Sequence, residues 1–82
     1  MKKLEFYYAK WWTPCKIVRP VLDELKSKGM NIEMYDIEED NKKAMSRGIM
    51  SIPVMIIYKE EEEFERLMGI QSKENISYLM SE

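Results

Sequence analysis

The stretch Trp11-Trp12-Thr13-Pro14-Cys15-Lys16 lies between an aromatic-rich run and an amphipathic one, and the fold turns on how it is read. Thr13 is a good helix cap, and Pro14 suits the first helical position, where a missing backbone N–H costs nothing. A helix is therefore predicted to start here. Beyond it the apolar positions Cys15, Val18, Leu22 and Leu25 step by three and four, which sets them on one helical face suited to packing on a sheet. Pro20 falls inside this pattern and is expected to kink the helix, while Gly29 supplies a left-handed stop.

Upstream, Lys2 to Tyr8 carries Leu4, Phe6, Tyr7 and Tyr8, residue types that favour extended backbone, and reads as a central strand. Downstream, Asn31 to Ile37 reads as a second strand. It ends in Asp36-Ile37-Glu38-Glu39-Asp40, expected to cap and charge a short helix that runs through Arg47 and closes at Gly48. Val54-Met55-Ile56-Ile57-Tyr58 is a continuous apolar run of the kind buried on both faces of a sheet. Lys59-Glu60-Glu61-Glu62-Glu63 reads as a solvated turn, and Phe64 to Met68 as an antiparallel partner strand. Ser72 caps a last helix with Ile76, Leu79 and Met80 on one side. The order β-α-β-α-β-β-α predicts an α/β fold, a four-stranded mixed sheet with helices on both faces, in a single domain spanning residues 1–82.

Composition narrows the chemistry. A chain of 82 residues with 45% hydrophobic and 34% charged side chains is an ordinary globular sequence. Its 13 basic and 15 acidic residues leave a net charge of −2, without the basic field that nucleic acid requires. No apolar run approaches the roughly 18 residues of a membrane span. Met1-Lys2-Lys3 leads straight into Leu4 and Glu5 with no signal-peptide pattern, so the expected location is cytoplasmic. One cysteine forbids an intrachain disulfide, and the absence of histidine removes the commonest metal ligand and general base. No metal site is expected; the acids at 36–40 lack the spacing and glycine of a calcium loop. The eight methionines, among them Met30, Met34, Met45, Met50, Met55, Met68 and Met80, read as adaptable core filling.

Over nearly its whole length the chain resembles the thioredoxin family. The family's active-site loop Trp-Cys-Gly-Pro-Cys-Lys is matched by Trp11-Trp12-Thr13-Pro14-Cys15-Lys16, and its following helix by Pro20 and Leu22-Asp23-Glu24. Arg47-Gly48-Ile49-Met50-Ser51-Ile52-Pro53 matches the segment that ends in the family's cis-proline, Gly69 the glycine near the substrate groove, and Ser72-Lys73 the start of the last helix. The chain begins at the central strand, so it resembles the shorter, glutaredoxin-sized members. Phe6 stands where many thioredoxins hold a buried Asp that assists proton transfer.

The resemblance implies protein-disulfide oxidoreductase chemistry, no bound cofactor, and a substrate groove formed by Trp11, Thr13, Pro14, Ile52, Pro53 and Gly69. It also implies a departure: Trp12 occupies the place of the attacking cysteine, and Cys15 that of the resolving one. Exchange needs one sulfur to attack and another to resolve the mixed disulfide. Burial disfavours a thiolate, and even an unperturbed thiol of pKa near 8.5 is only about 3% ionised at pH 7. The expectation is a catalytically impaired chain. A two-cysteine form would take a protein disulfide as substrate and a thioredoxin-reductase-type protein as electron donor. The alternative is a monomeric, non-catalytic binding module that holds a peptide or protein in the same groove, with Trp11 and Trp12 as aromatic anchors.

Overall fold

The strand leading into the Trp-Trp segment is the centre of the sheet. In the computed structural model, which describes residues 1–81, β1 (Lys2–Tyr8) pairs in parallel with β2 (Ile32–Asp36) and antiparallel with β3 (Val54–Lys59). Strand β4 (Glu62–Met68) pairs antiparallel with β3, giving the order β2-β1-β3-β4. Glu82, the last residue of the expected domain, lies outside the described residues.

Helices cover both faces, as the alternating order requires. Leu4, Phe6 and Tyr8 of β1 point to one side with Met55 and Ile57 of β3, where Val18, Leu22 and Leu25 of α1 (Thr13–Ser27) and Ile76 of α3 (Lys73–Met80) close over them. Tyr7, Val54 and Ile56 point to the other side, toward Ala44 of α2 (Asn41–Ser46). Cys15, Val18, Leu22 and Leu25 are the buried residues of α1, as their spacing predicts. Burying each leucine stabilises by about 1.5–3 kcal/mol.

Several local expectations are corrected. Helix α1 begins one residue early: Trp12 is the N-cap, with extended φ of −85° and ψ of 123°, and Thr13 is already helical. Trp12 accepts the first helical bonds through its carbonyl, from Cys15 at 3.0 Å and Lys16 at 3.2 Å, so no side-chain cap is needed. The kink expected at Pro20 does not interrupt α1, which runs from Thr13 to Ser27 without a break. Asp40 sits at the N-cap of α2 without a side-chain cap bond, and Asp36 Oδ1 instead accepts from the Glu38 backbone N–H at 2.8 Å, shaping the turn before the helix. Arg47 is the C-cap of α2 and not its last turn.

The acidic break is shorter than expected. Strand β4 starts at Glu62, so Glu62 and Glu63 are paired residues, and only Glu60 and Glu61 form the turn, with φ of 51° and 73°. Positive φ at both central residues is the backbone of a tight two-residue hairpin whose twist matches the strands. The methionines are also divided. Met55 and Met80 are buried, but Met1, Met45, Met50 and Met68 are exposed, because they fall on the chain start, on the outer side of α2, on the loop before Ile52 and at the end of an edge strand.

Candidate functional site

Four segments meet at one end of the sheet: the loop from β1 to α1, the loop between β2 and α2, the Met50-Ser51-Ile52 approach to β3, and Gly69 after β4. The first turns sharply, its Trp12 N–H bonded to the Ala9 carbonyl at 3.2 Å, and delivers Trp12 to the mouth of α1. Thr13 and Pro14 form the helix's exposed and half-buried first turn. On the far side the Ile52–Pro53 peptide bond is cis, and the Gly69 N–H donates to the Pro53 carbonyl at 2.9 Å. Gly69 has a φ of +82°, a left-handed conformation open to glycine at little cost.

Trp12 bridges these segments. It is 44% exposed, and its indole N–H donates to the Ile52 carbonyl oxygen at 3.2 Å. Trp11 stands edge-on to it at 6.0 Å between ring centroids, and its own indole N–H donates to Glu38 Oε1 at 3.1 Å. The structure therefore brings Trp11, Trp12, Ile52, Pro53 and Gly69 to one surface. Met50, at the start of the Met50-Ser51-Ile52 approach, and Met68 and Ile70, on either side of Gly69, are exposed apolar residues, Met50 almost wholly so at 97%. Sequence reasoning had put these methionines in the core; the place of Met50 near the Ile52-Pro53 pair and of Met68 beside Gly69 was the signal available.

Cys15 faces the other way. It is 1% exposed, set among the core side chains between α1 and the sheet. Burial pushes its thiol up, and a hydrogen bond with the Ala9 backbone only partly opposes this. A crevice of about 80 Å³ lined by Tyr8, Ala9, Lys10, Lys16 and Arg19 reaches the cysteine. Phe6 is fully buried in the same cluster, so no carboxylate serves the thiol from that position.

A second polar centre escaped the sequence reading. Glu5, in the middle of β1, is wholly buried on the α2 side. Its Oε1 accepts from the Tyr7 hydroxyl at 2.8 Å and from Arg47 Nε at 3.3 Å, while Oε2 faces Lys3 Nζ at 3.5 Å and Lys43 Nζ at 3.8 Å. Burial alone would raise the carboxyl, but the bonds from Tyr7 and Arg47 and the charges of Arg47 and Lys43 outweigh it and hold Glu5 below the ordinary carboxylate range. Burial and the nearby Glu5 push the Tyr7 hydroxyl well up. A charged residue at a position flanked by Leu4 and Phe6, in a strand read as central, was the available clue.

The arrangement matches known proteins along its length. A family model described as Thioredoxin covers residues 3–82. The thioredoxin of Staphylococcus epidermidis is 35% identical over 81 residues, covering 95% of this chain and 78% of its own. That of Staphylococcus saprophyticus is 36% identical over 74 residues, 87% of this chain and 71% of its own. Among solved structures, a mutant thioredoxin from Halobacterium salinarum NRC-1 superposes with a TM-score of 0.88 at 24% identity, over 96% of this chain and 71% of that one. Fasciola hepatica thioredoxin gives 0.85 at 16%, over 96% and 77%. The chain belongs to the thioredoxin family of thiol–disulfide oxidoreductases.

Proposed function

We propose that this chain keeps the protein-binding groove of a thioredoxin while its disulfide exchange is disabled, and that Trp12 and Cys15 divide the responsibility. In the two-thiol reaction an exposed thiolate attacks a substrate disulfide, releasing one substrate thiolate and forming a mixed disulfide. The second thiol then attacks that bond, and two electrons have passed to the substrate. Trp12 supplies no sulfur for the first step. Cys15, buried and held protonated, is a poor attacker, and any mixed disulfide it formed would have no neighbouring thiol to release it.

The observation that carries this reading is the pairing of an exposed indole at the mouth of α1 with a thiol that is 1% exposed. The groove reading is supported by Trp11, Met50, Met68 and Ile70, exposed apolar residues on or next to the segments that form the groove. We assign Trp11, Thr13, Pro14, Ile52, Pro53 and Gly69 to contact with an extended segment, in a monomeric single-domain protein of the cytoplasm. A two-cysteine form would take electrons from a thioredoxin-reductase-type donor.

A turnover assay tests the proposal, with a protein disulfide as substrate and dithiothreitol as reductant. The expected rate equals that of dithiothreitol alone. A rate near that of a two-cysteine thioredoxin overturns it.

A further inference from the structure

We infer that Trp12 is a latch on the groove it stands beside: its indole occupies the Ile52 carbonyl, and an incoming segment must displace it. The inference rests on the groove reading above and deepens it by naming what the groove selects.

Ile52 is half-buried at the groove, and its carbonyl oxygen is a backbone acceptor that an extended segment could meet with an N–H of its own. Here the Trp12 indole N–H fills that role at 3.2 Å. The indole is held from behind as well, since Trp11 meets it edge-on and is itself bonded to Glu38 on the β2–α2 loop. Three elements thus fix one ring over one acceptor. A carbonyl has a second lone pair, so the latch requires the bulk of the ring to hinder the approach to it as well.

Opening the latch gives up one hydrogen bond and one aromatic contact. Only a segment that replaces both gains by binding: extended, free of proline at the pairing position, and carrying a bulky apolar side chain to fill the space the ring leaves. This reverses the sense in which an exposed tryptophan beside a groove is usually taken. As an anchor, Trp12 would strengthen binding; as a latch, it weakens it.

The two roles are separated with the acetylated, amidated hexapeptide Lys-Val-Phe-Val-Ala-Lys as probe, its phenylalanine supplying the bulky apolar side chain and its lysines chosen for solubility. In ¹⁵N-labelled protein, with Trp11→Phe assigning the two indole signals, the Trp12 Nε1–H exchanges at least about tenfold more slowly than in an unstructured tryptophan peptide and loses that protection as the probe saturates. Trp12→Phe, which keeps a ring and removes the donor, binds the probe about three- to tenfold more tightly than the parent, the worth of one net hydrogen bond. The latch is overturned by an unprotected indole in the free protein, or by Trp12→Phe binding no more tightly while the probe does bind. If the probe moves no resonance of Ile52, Gly69 or Ile70 in any protein, Trp12→Ala included, the groove reading fails and the latch with it.

Discussion

Arg47 Nε donates to Glu5 Oε1 at 3.3 Å, which ties the residue that ends α2 to the middle of the central strand. The segment from Gly48 to Pro53, which forms one wall of the groove, starts at that tie. A buried carboxylate is costly unless cations and donors surround it, and Lys3, Lys43, Arg47 and Tyr7 do so here, with Tyr58 nearby.

Glu5→Gln is expected to destabilise the fold by about 1–3 kcal/mol at pH 7, because it leaves three cations facing a neutral amide. The Glu5 carboxyl is held below its ordinary value in the folded chain, so its stabilisation is present above an unfolded pKa of about 4.3 and fades as pH falls through the lower folded value. The melting-temperature gap between parent and variant should therefore narrow from pH 7 to pH 3. Glu24, Glu60 and Glu63 are also held low and keep a shared acid sensitivity in both proteins. An equal gap at both pH values rules out the charged network as its source.

Glu61→Gly should stabilise the protein. Glu60 and Glu61 both have positive φ, where an L-residue with a Cβ is strained by roughly 1–2 kcal/mol and glycine is not. Glycine's extra freedom in the unfolded chain takes back part of that, leaving a gain of about 0.5–1 kcal/mol. Position 61 is the better choice, since the Glu60 carboxylate pairs with the Met1 amine. A higher urea midpoint with unchanged slope is the expected result; a lower midpoint contradicts the strain argument.

Where periodicity and burial act together, the sequence reads correctly. The Cys15, Val18, Leu22, Leu25 face of α1 and the doubly buried run from Val54 to Ile57 were both legible, because each follows from a local pattern. The antiparallel partner strand from Phe64 to Met68 was legible too, but its two-residue turn was not, since two glutamates carry none of the usual chemistry of a left-handed turn and the strand pairing imposes it. Glu5 was missed because two of the three cations around it, Lys43 and Arg47, lie about 40 positions along the chain, Arg47 being 42 positions away. At the site, the indole at position 12 and the burial of Cys15 followed from the motif's register. The hydrogen bond from Trp12 to Ile52 spans 40 positions and belongs to the tertiary structure alone.

Cys15 should resist modification. Burial raises its pKa and leaves it only a small crevice, so alkylation must wait for local opening. With iodoacetamide at pH 8 the native protein is expected to react at least about a hundredfold more slowly than in denaturant, an opening free energy near 3 kcal/mol. Because the thiol is shifted upward, the native rate should still climb between pH 8 and pH 9.5. Mass spectrometry of quenched samples gives both rates, and equal rates would mean that the sulfur is open to solvent.

Trp12→Cys should create a redox-active pair. Position 12 is the N-cap of α1, so a sulfur there sits at the positive end of the helix dipole, which favours a thiolate, while Cys15 follows one turn later on the same helix. Oxidised glutathione would be attacked by the outer sulfur, releasing one glutathione thiolate. Cys15 would then displace the second, closing an intrachain disulfide with loss of two hydrogens from the protein. The substitution also removes the indole from Ile52, so the same variant gains both an attacking atom and an open acceptor. Expected results are the two-hydrogen mass loss in the monomer and disulfide turnover above the dithiothreitol background. A variant that accumulates only the glutathione adduct would show that the thiol of Cys15 cannot reach position 12, and the assignment of Trp12 to the attacking position would fall.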